Sequence, residues 1–170
     1  MAVTIGNDPG TYALVLECSQ QQIVQIGRWR AIETAPGYYV YVGSAFGPGG
    51  VRARVARHFR TAKSNHWHID YLRARLTPLG AWISHAPVRL EHGWAGRLEA
   101  AEGFTPLPGF GCSDCPCNAH LFQAHTGQGL ERLLGDEQTE LVWWPFTGAS
   151  TLPSADPSPN SPRPPPASSP

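Results

Sequence analysis

Long apolar runs are missing from this sequence. Nowhere in its 170 residues does one approach the roughly 20 residues that a membrane-spanning helix needs. A helical membrane protein is thereby excluded, and no membrane partner is expected. The first residues, MAVTIGNDPG, lack a basic segment followed by an apolar one, so no secretory signal is expected and the default compartment is the cytoplasm. Cysteine is scarce, at four residues. Without export these are expected to be free thiols or metal ligands rather than disulfides. No charge predominates either: 13 Lys and Arg balance 13 Asp and Glu.

Proline and glycine, by contrast, are plentiful, at 17 and 18 residues, and the prolines are unevenly placed. From Pro153 onward the chain reads PSADPSPNSPRPPPASSP, with no apolar residue larger than Ala. Such a stretch buries too little surface to offset its ordering entropy, so 151–170 is expected to be a disordered tail. The remainder, 1–150, is long enough for one domain with one core of ordinary size.

The balanced total hides a local excess. Between Arg28 and Arg75 there are nine Lys or Arg residues against two acids, Glu33 and Asp70, an excess of 9 − 2 = +7. A basic face on a neutral protein suits a polyanion such as a nucleic-acid backbone. A solvated surface that simply favours arginine would read the same way.

Tyr12–Leu16 has the apolar continuity of a buried strand, and Ile23–Trp29 is expected to be a second strand after a polar turn. Tyr38–Val42 is the strongest β signal. Short turns between these three predict an antiparallel sheet. A glycine-rich loop, Phe46–Gly50, precedes a helix in which Val51, Val55 and Phe59 form one stripe. At about 100° per residue, Arg54 and His58 share a flank of that stripe, while Arg57 and Arg60 should face solvent. Further elements are expected from Asp70 to before Pro78 (helix), over Leu79–His85 (strand), from Pro87 with Leu90, Trp94, Leu98 and Ala101 buried (helix), at His120–Phe122 (strand), and at Leu141–Phe146 (strand or packed segment). The fold class is therefore α/β, a small antiparallel sheet flanked by helices.

Gly10-Thr11-Tyr12 on the first strand and Tyr41-Val42-Gly43 on the third resemble the two halves of the signature of the GIY-YIG nucleases. After them come a helix carrying Arg54 and His58 one turn apart, then a later helix carrying Glu91, in the order that this superfamily uses. The segments Gly37–Ala45, His66–Leu72 and Pro108–Cys115 resemble more closely one branch of short stand-alone prokaryotic proteins, formerly classed as a domain of unknown function and sometimes fused to DNA-repair glycosylases. The resemblance spans about 10–122. It implies a metal-dependent endonuclease, active in DNA repair or processing, with DNA ahead of RNA as partner. Tyr12, Tyr41, Arg54 and His58 would be catalytic, and Glu91 would hold Mg²⁺ or Mn²⁺. Arg28, Arg30, Arg52, Arg57, His66 and His68 are the candidate nucleic-acid contacts. The alternative is a non-catalytic nucleic-acid-binding adaptor of the same fold.

The residue types suit this chemistry. Phosphodiester hydrolysis needs a deprotonated water in line with the leaving oxygen and charge stabilisation at phosphorus. A tyrosine, normally protonated at neutral pH, can take part only as a relay or if neighbours lower its pKa. An arginine fork grips phosphate oxygens with two hydrogen bonds. A single carboxylate leaves most of a Mg²⁺ shell to water and substrate. Each residue also has an ordinary use: strand packing for the tyrosines, a surface position for Arg54, a helix-start acid for Glu91. Two departures from the nuclease pattern stand out. Tyr12 and Tyr41 are 29 residues apart, where about ten is usual for the superfamily, and only Asn118 offers itself as the late asparagine of many active members.

Cys112, Cys115, Cys117 and His120 put four soft ligands within nine residues, which is the raw material of a structural zinc site. Small buried thiols in a tight loop would be the bland alternative. His66, His68 and Asp70 could likewise ligate a metal, or simply start a helix capped by Asp70 or Asn65 with Trp67 packed against it.

Removing 153–170 should leave the thermal midpoint unchanged, because the segment brings no apolar surface to pack. A clear drop on calorimetry would place part of that segment against the domain.

Overall fold

The computed structural model describes residues 4–60 and 64–147. The expected disordered tail, 151–170, and Lys63 of the basic stretch lie outside the described residues. Eight strands and four helices follow one another among those described: β1 (Gly10–Cys18), β2 (Gln22–Ile26), β3 (Arg30–Thr34), β4 (Gly37–Ala45), α1 (Gly50–Phe59), α2 (His68–Arg73), β5 (Thr77–Ser84), α3 (Glu91–Ala100), β6 (Phe104–Pro106), β7 (Leu121–Ala124), α4 (Leu130–Leu134) and β8 (Val142–Pro145). Six strands form one antiparallel sheet in the order β6-β7-β4-β1-β5-β8. The α/β class with an antiparallel sheet and flanking helices is as the sequence indicates.

β1 is apolar without alternation because it is buried on both faces. Tyr12, Leu14 and Leu16 point to one side, where Val51, Val55 and Phe59 of α1 and Ile69 and Leu72 of α2 complete a core. Ala13 and Val15 point to the other, against Trp94, Ala95 and Leu98 of α3 and Leu130 and Leu134 of α4. The valine stripe expected on α1 is buried as its spacing indicates.

The expected strand Ile23–Trp29 is corrected. It ends at Ile26, turns at Gly27 with φ 51° and returns as β3. β2 and β3 pair only with each other, as a separate two-stranded sheet. Val24, Ile26 and Ile32 tuck this hairpin under the first core, while Ile23 is 73% exposed. The returning strand RAIET has one large apolar residue, Ile32, so period-two patterning hardly registers in it. An inserted hairpin, rather than one extra strand, accounts for the 29-position separation of the two tyrosines. The third helix also starts later than Pro87, at Glu91. The short β6 and α4 carry too little pattern for detection from sequence.

α1 and α2 are joined through Arg73, whose residue is buried. Its Nε donates to the His58 carbonyl at 2.8 Å, one terminal nitrogen to Phe59 at 3.0 Å, and the other to Leu76 at 3.2 Å. The planar guanidinium thereby satisfies the last carbonyls of α1, which the helix itself leaves open. Arg73→Met should cost about 2–4 kcal/mol in denaturant unfolding, since it strands buried carbonyls. Arg73→Lys should recover only part of that loss, because one ammonium cannot reach three divergent acceptors.

Candidate active site

The site begins with strand register. In the β1–β4 pair Tyr12 lies opposite Gly43 and Leu14 opposite Tyr41. Both tyrosines therefore project from the same sheet face as diagonal neighbours. Gly43 is what lets the Tyr12 ring lie flat across β4. A Cβ there would stand 2.4 Å from the Tyr12 hydroxyl and 2.5 Å from Cζ. The ring is 2% exposed, and its hydroxyl lies 2.8 Å from His58 Nε2. His58 itself is buried, with its ring edge-on to Tyr41 at 6.1 Å between centroids.

α1 is aimed by the loop before it. Gly50 has φ 57°, and a Cβ at that position would fall 2.1 Å from the Asn7 carbonyl oxygen, so only glycine fits. The helix then places Arg54 beside His58. The Arg54 guanidinium stacks on Trp67 at 4.4 Å, and Arg57 stacks on the same ring at 4.4 Å. Arg57, expected to face solvent, is tied to buried Asp70 at 2.7 Å and donates to the Ser64 carbonyl. Asp70 also accepts from the backbone N–H groups of His66 and Trp67, at 2.8 and 2.9 Å. Asp70 is thus the carboxylate that closes the start of α2 and fixes Trp67, and the metal triad His66, His68, Asp70 is not formed.

Glu91 arrives from the opposite sheet face. It is the first residue of α3, and Leu90 N–H bonds the Thr11 hydroxyl at 3.0 Å, pinning that helix start to β1. Its carboxylate accepts from the Ser44 hydroxyl at 2.5 Å and sits 3.1 Å from His120 Nδ1. β7 pairs with β4 only over Tyr38–Tyr41, followed by one bond from Val42 N–H to the His120 carbonyl. Where that pairing stops, a gap opens at the end of β4 and Glu91 reaches it.

Tyr12, Tyr41, Arg54, His58 and Glu91 line one cleft of about 280 Å³, together with Ser44, His66, Trp67, His68, Ser113 and Asp114. Five residues from two strands and two helices, spread over 79 positions of sequence from Tyr12 to Glu91, share one concavity. The remaining expected contacts divide. Arg28 is exposed and Arg52 half-buried. Arg30 stacks on Trp29 at 4.1 Å and donates to the Pro108 carbonyl at 2.7 Å. Trp29 in turn stacks on His68 at 4.7 Å, so these residues join the hairpin to the cleft wall. Asn118 lies outside the cleft lining, with its amide donating to Glu99.

Electrostatics distinguish the groups. Burial raises the Tyr12 pKa well above the ordinary tyrosine value; Tyr41 adds to the rise and Arg54 works against it. Burial likewise raises Tyr41, with the Glu91 charge adding to the rise. Both phenols are therefore protonated in this geometry, and neither is a standing base. Burial disfavours the Glu91 charge, yet hydrogen bonds from His120 and Ser44 outweigh it and hold the carboxylate below the usual glutamate range. His120 is raised to about 9: burial opposes its charge, and the hydrogen bonds to Glu91 and Cys115 prevail.

A family model matches residues 11–142. The chain belongs to the family described as Domain of unknown function DUF123. The match takes in the cleft residues from Tyr12 to Asp114, and that description assigns no activity. No curated protein and no solved structure matches the chain.

Beside Gly43 and Gly111, four residues that were not candidate site residues from the sequence also line the cleft: Ser44, Trp67, Ser113 and Asp114. Asp114 stands in the Pro108–Cys115 segment already singled out, but an acid in a loop announces no partner. His92 and His120 also bear on the site, as described below. Gly43→Ala should push the Tyr12 ring off β4, because the new methyl meets a rigid ring rather than a flexible chain end. The expected loss is about 1–3 kcal/mol, with a change in tyrosine fluorescence. An unchanged thermal midpoint would contradict the close contact.

Proposed function

We propose that this chain is a metal-dependent endonuclease of GIY-YIG type, hydrolysing nucleic-acid phosphodiesters, with DNA the preferred substrate. The observation that carries this reading is the convergence of Tyr12, Tyr41, Arg54, His58 and Glu91 on one cleft. A second shallow depression, lined by Arg54, Arg57 and Arg60 beside the glycine-rich loop, adjoins it through Arg54 and offers a track for a phosphate backbone.

The donors suit Mg²⁺ or Mn²⁺. Glu91 is ionised, and each of its oxygens has a lone pair beyond the one used by Ser44 or His120. Ser44 and Asp114 add hard oxygen atoms to the same cleft. The ion would supply charge neutralisation at the phosphate. The protein's own part is proton movement and grip. With its pKa raised, Tyr12 acts as a relay: its hydroxyl proton passes to His58 Nε2 as its oxygen takes a proton from the attacking water. The water oxygen bonds to phosphorus, the P–O bond on the far side breaks, and the leaving oxygen takes up a proton from solvent water, to which His58 later returns the one it received. Arg54, held by Trp67, grips the non-bridging phosphate oxygens.

Glu91→Gln should abolish cleavage of nicked and branched DNA in Mg²⁺ while leaving binding in EDTA almost unchanged. Arg54→Ala should abolish cleavage and also weaken binding by about 1–3 kcal/mol with a shallower salt dependence. The position of Asn118 outside the cleft favours a second reading, a non-catalytic adaptor. Steep salt-dependent binding without cleavage in either ion would decide for it. Neither binding nor cleavage would overturn both.

A further inference from the structure

Outside the cleft, the thiols and imidazoles make a cluster of their own. His92 Nδ1 lies 2.9 Å from Cys117 Sγ, and Cys115 Sγ lies 3.1 Å from His120 Nε2. One ligand atom from each of these four residues lies within 4.8 Å of every other. Zinc bonds of about 2.3 Å to sulfur and 2.0–2.1 Å to nitrogen require ligand atoms about 3.3–3.8 Å apart in a tetrahedron. Two pairs, at 2.9 and 3.1 Å, are closer than that and the whole set lies within 4.8 Å, so shifts of about 1 Å or less would bring the four atoms to the spacing that a Zn²⁺ ion needs. Two sulfurs and two imidazoles are the soft and borderline donors that zinc selects over magnesium.

From this geometry we infer that His92, Cys115, Cys117 and His120 form a structural Zn²⁺ site. The set differs from the one that spacing suggests. Cys112 neighbours Cys115 but stands outside the set, with its thiol donating to the Phe110 carbonyl at 3.4 Å. His92, from the first turn of α3, takes its place. A Cys-x-Cys pair within one loop closes a tetrahedron poorly with its own neighbours. It does so readily when a helix supplies the fourth ligand. His92 is exposed and His120 buried, so the ion enters from solvent and its inner ligand rests on the core.

Such a site clamps the loop that forms one cleft wall, Gly111 to Asp114, to the helix start that carries Glu91. His120 gives the clamp a direction. With Nε2 on the ion, its Nδ1–H donates toward Glu91 Oε1 at 3.1 Å and the Val42 carbonyl at 3.3 Å, so the ion's outer partner is the cleft's own carboxylate. His120 and the ion are then positioning elements for Glu91. That consequence rests on the proposed nuclease reading, whereas the metal site does not.

The test is zinc content of the full chain, purified without chelators, by mass spectrometry, followed by exchange with Co²⁺. Wild type should carry one equivalent of zinc and, with Co²⁺, show the visible bands of tetrahedral cobalt with thiolate charge transfer. Cys115→Ser and Cys117→Ser should lose the ion. His92→Ala, an exposed substitution that leaves the core intact, should lower zinc affinity at least tenfold with the circular dichroism spectrum preserved. Cys112→Ser should keep one equivalent. A wild type that neither retains zinc nor gives tetrahedral cobalt bands would overturn the site. Loss of zinc in Cys112→Ser with retention in His92→Ala would overturn this ligand set. All of these outcomes are read without any cleavage assay, so failure of the nuclease reading leaves them standing.

Discussion

The Tyr12 ring rests on Gly43, and the antiparallel register of β1 and β4 is what brings the two residues face to face. A slip of one residue would send Tyr12 and Tyr41 to opposite sides of the sheet. Register is held because both faces of β1 are buried: Leu14 and Leu16 in one core, Ala13 and Val15 in the other. Two hydrophobic cores therefore hold one phenol within 2.8 Å of one imidazole. His58 completes the contact because α1 is anchored at both ends, by Gly50 against the Asn7 carbonyl and by Arg73 on the last carbonyls.

Charge in this molecule is divided between structure and surface in a way that counting conceals. Of the basic residues between Arg28 and Arg75, Arg73 is buried as a cap, Arg57 neutralises Asp70, and Arg30 ties the hairpin to the Pro108 loop. Arg54 differs from them. Its guanidinium is stacked but lines the cleft, so it is oriented and still has donors to offer. Trp67 achieves this by holding two guanidinium groups at once, one structural and one facing the cleft. In the proposed role, a head group fixed before a phosphate arrives loses less entropy on binding.

On the other side of the cleft, Glu91 is held by neutral and cationic donors rather than by an opposing acid. Ser44 and His120 keep its charge in a half-buried place and set its orientation. His120 links that carboxylate to Cys115, so the two chemically distinct ends of its ring join two chemically distinct clusters. The cleft carboxylate and the sulfur–imidazole cluster lie on either side of a single imidazole.

The sequence by itself determined what depends on local pattern and composition: the α/β class, the burial of β1, the strand β4, the stripe of α1, and Arg54 and His58 on one flank of it. These are consequences of side-chain period and apolar content, which act within a few residues. The same reasoning misplaced what depends on distant partners. Ile23–Trp29 has the pattern of one strand, and its hairpin partner β3 is stabilised by packing of Ile32 rather than by its own pattern. Arg57 belongs to solvent by helical angle, until Asp70 arrives 13 residues later to claim it. Cys112 stands in line with Cys115 and Cys117, yet it is His92 that joins them and His120 in one cluster, because α3 and the loop meet only in the folded chain. Tertiary structure alone decided which donors come together, since hydrogen bonds and coordination act over about 2–4 Å of space, a distance that sequence separation does not encode.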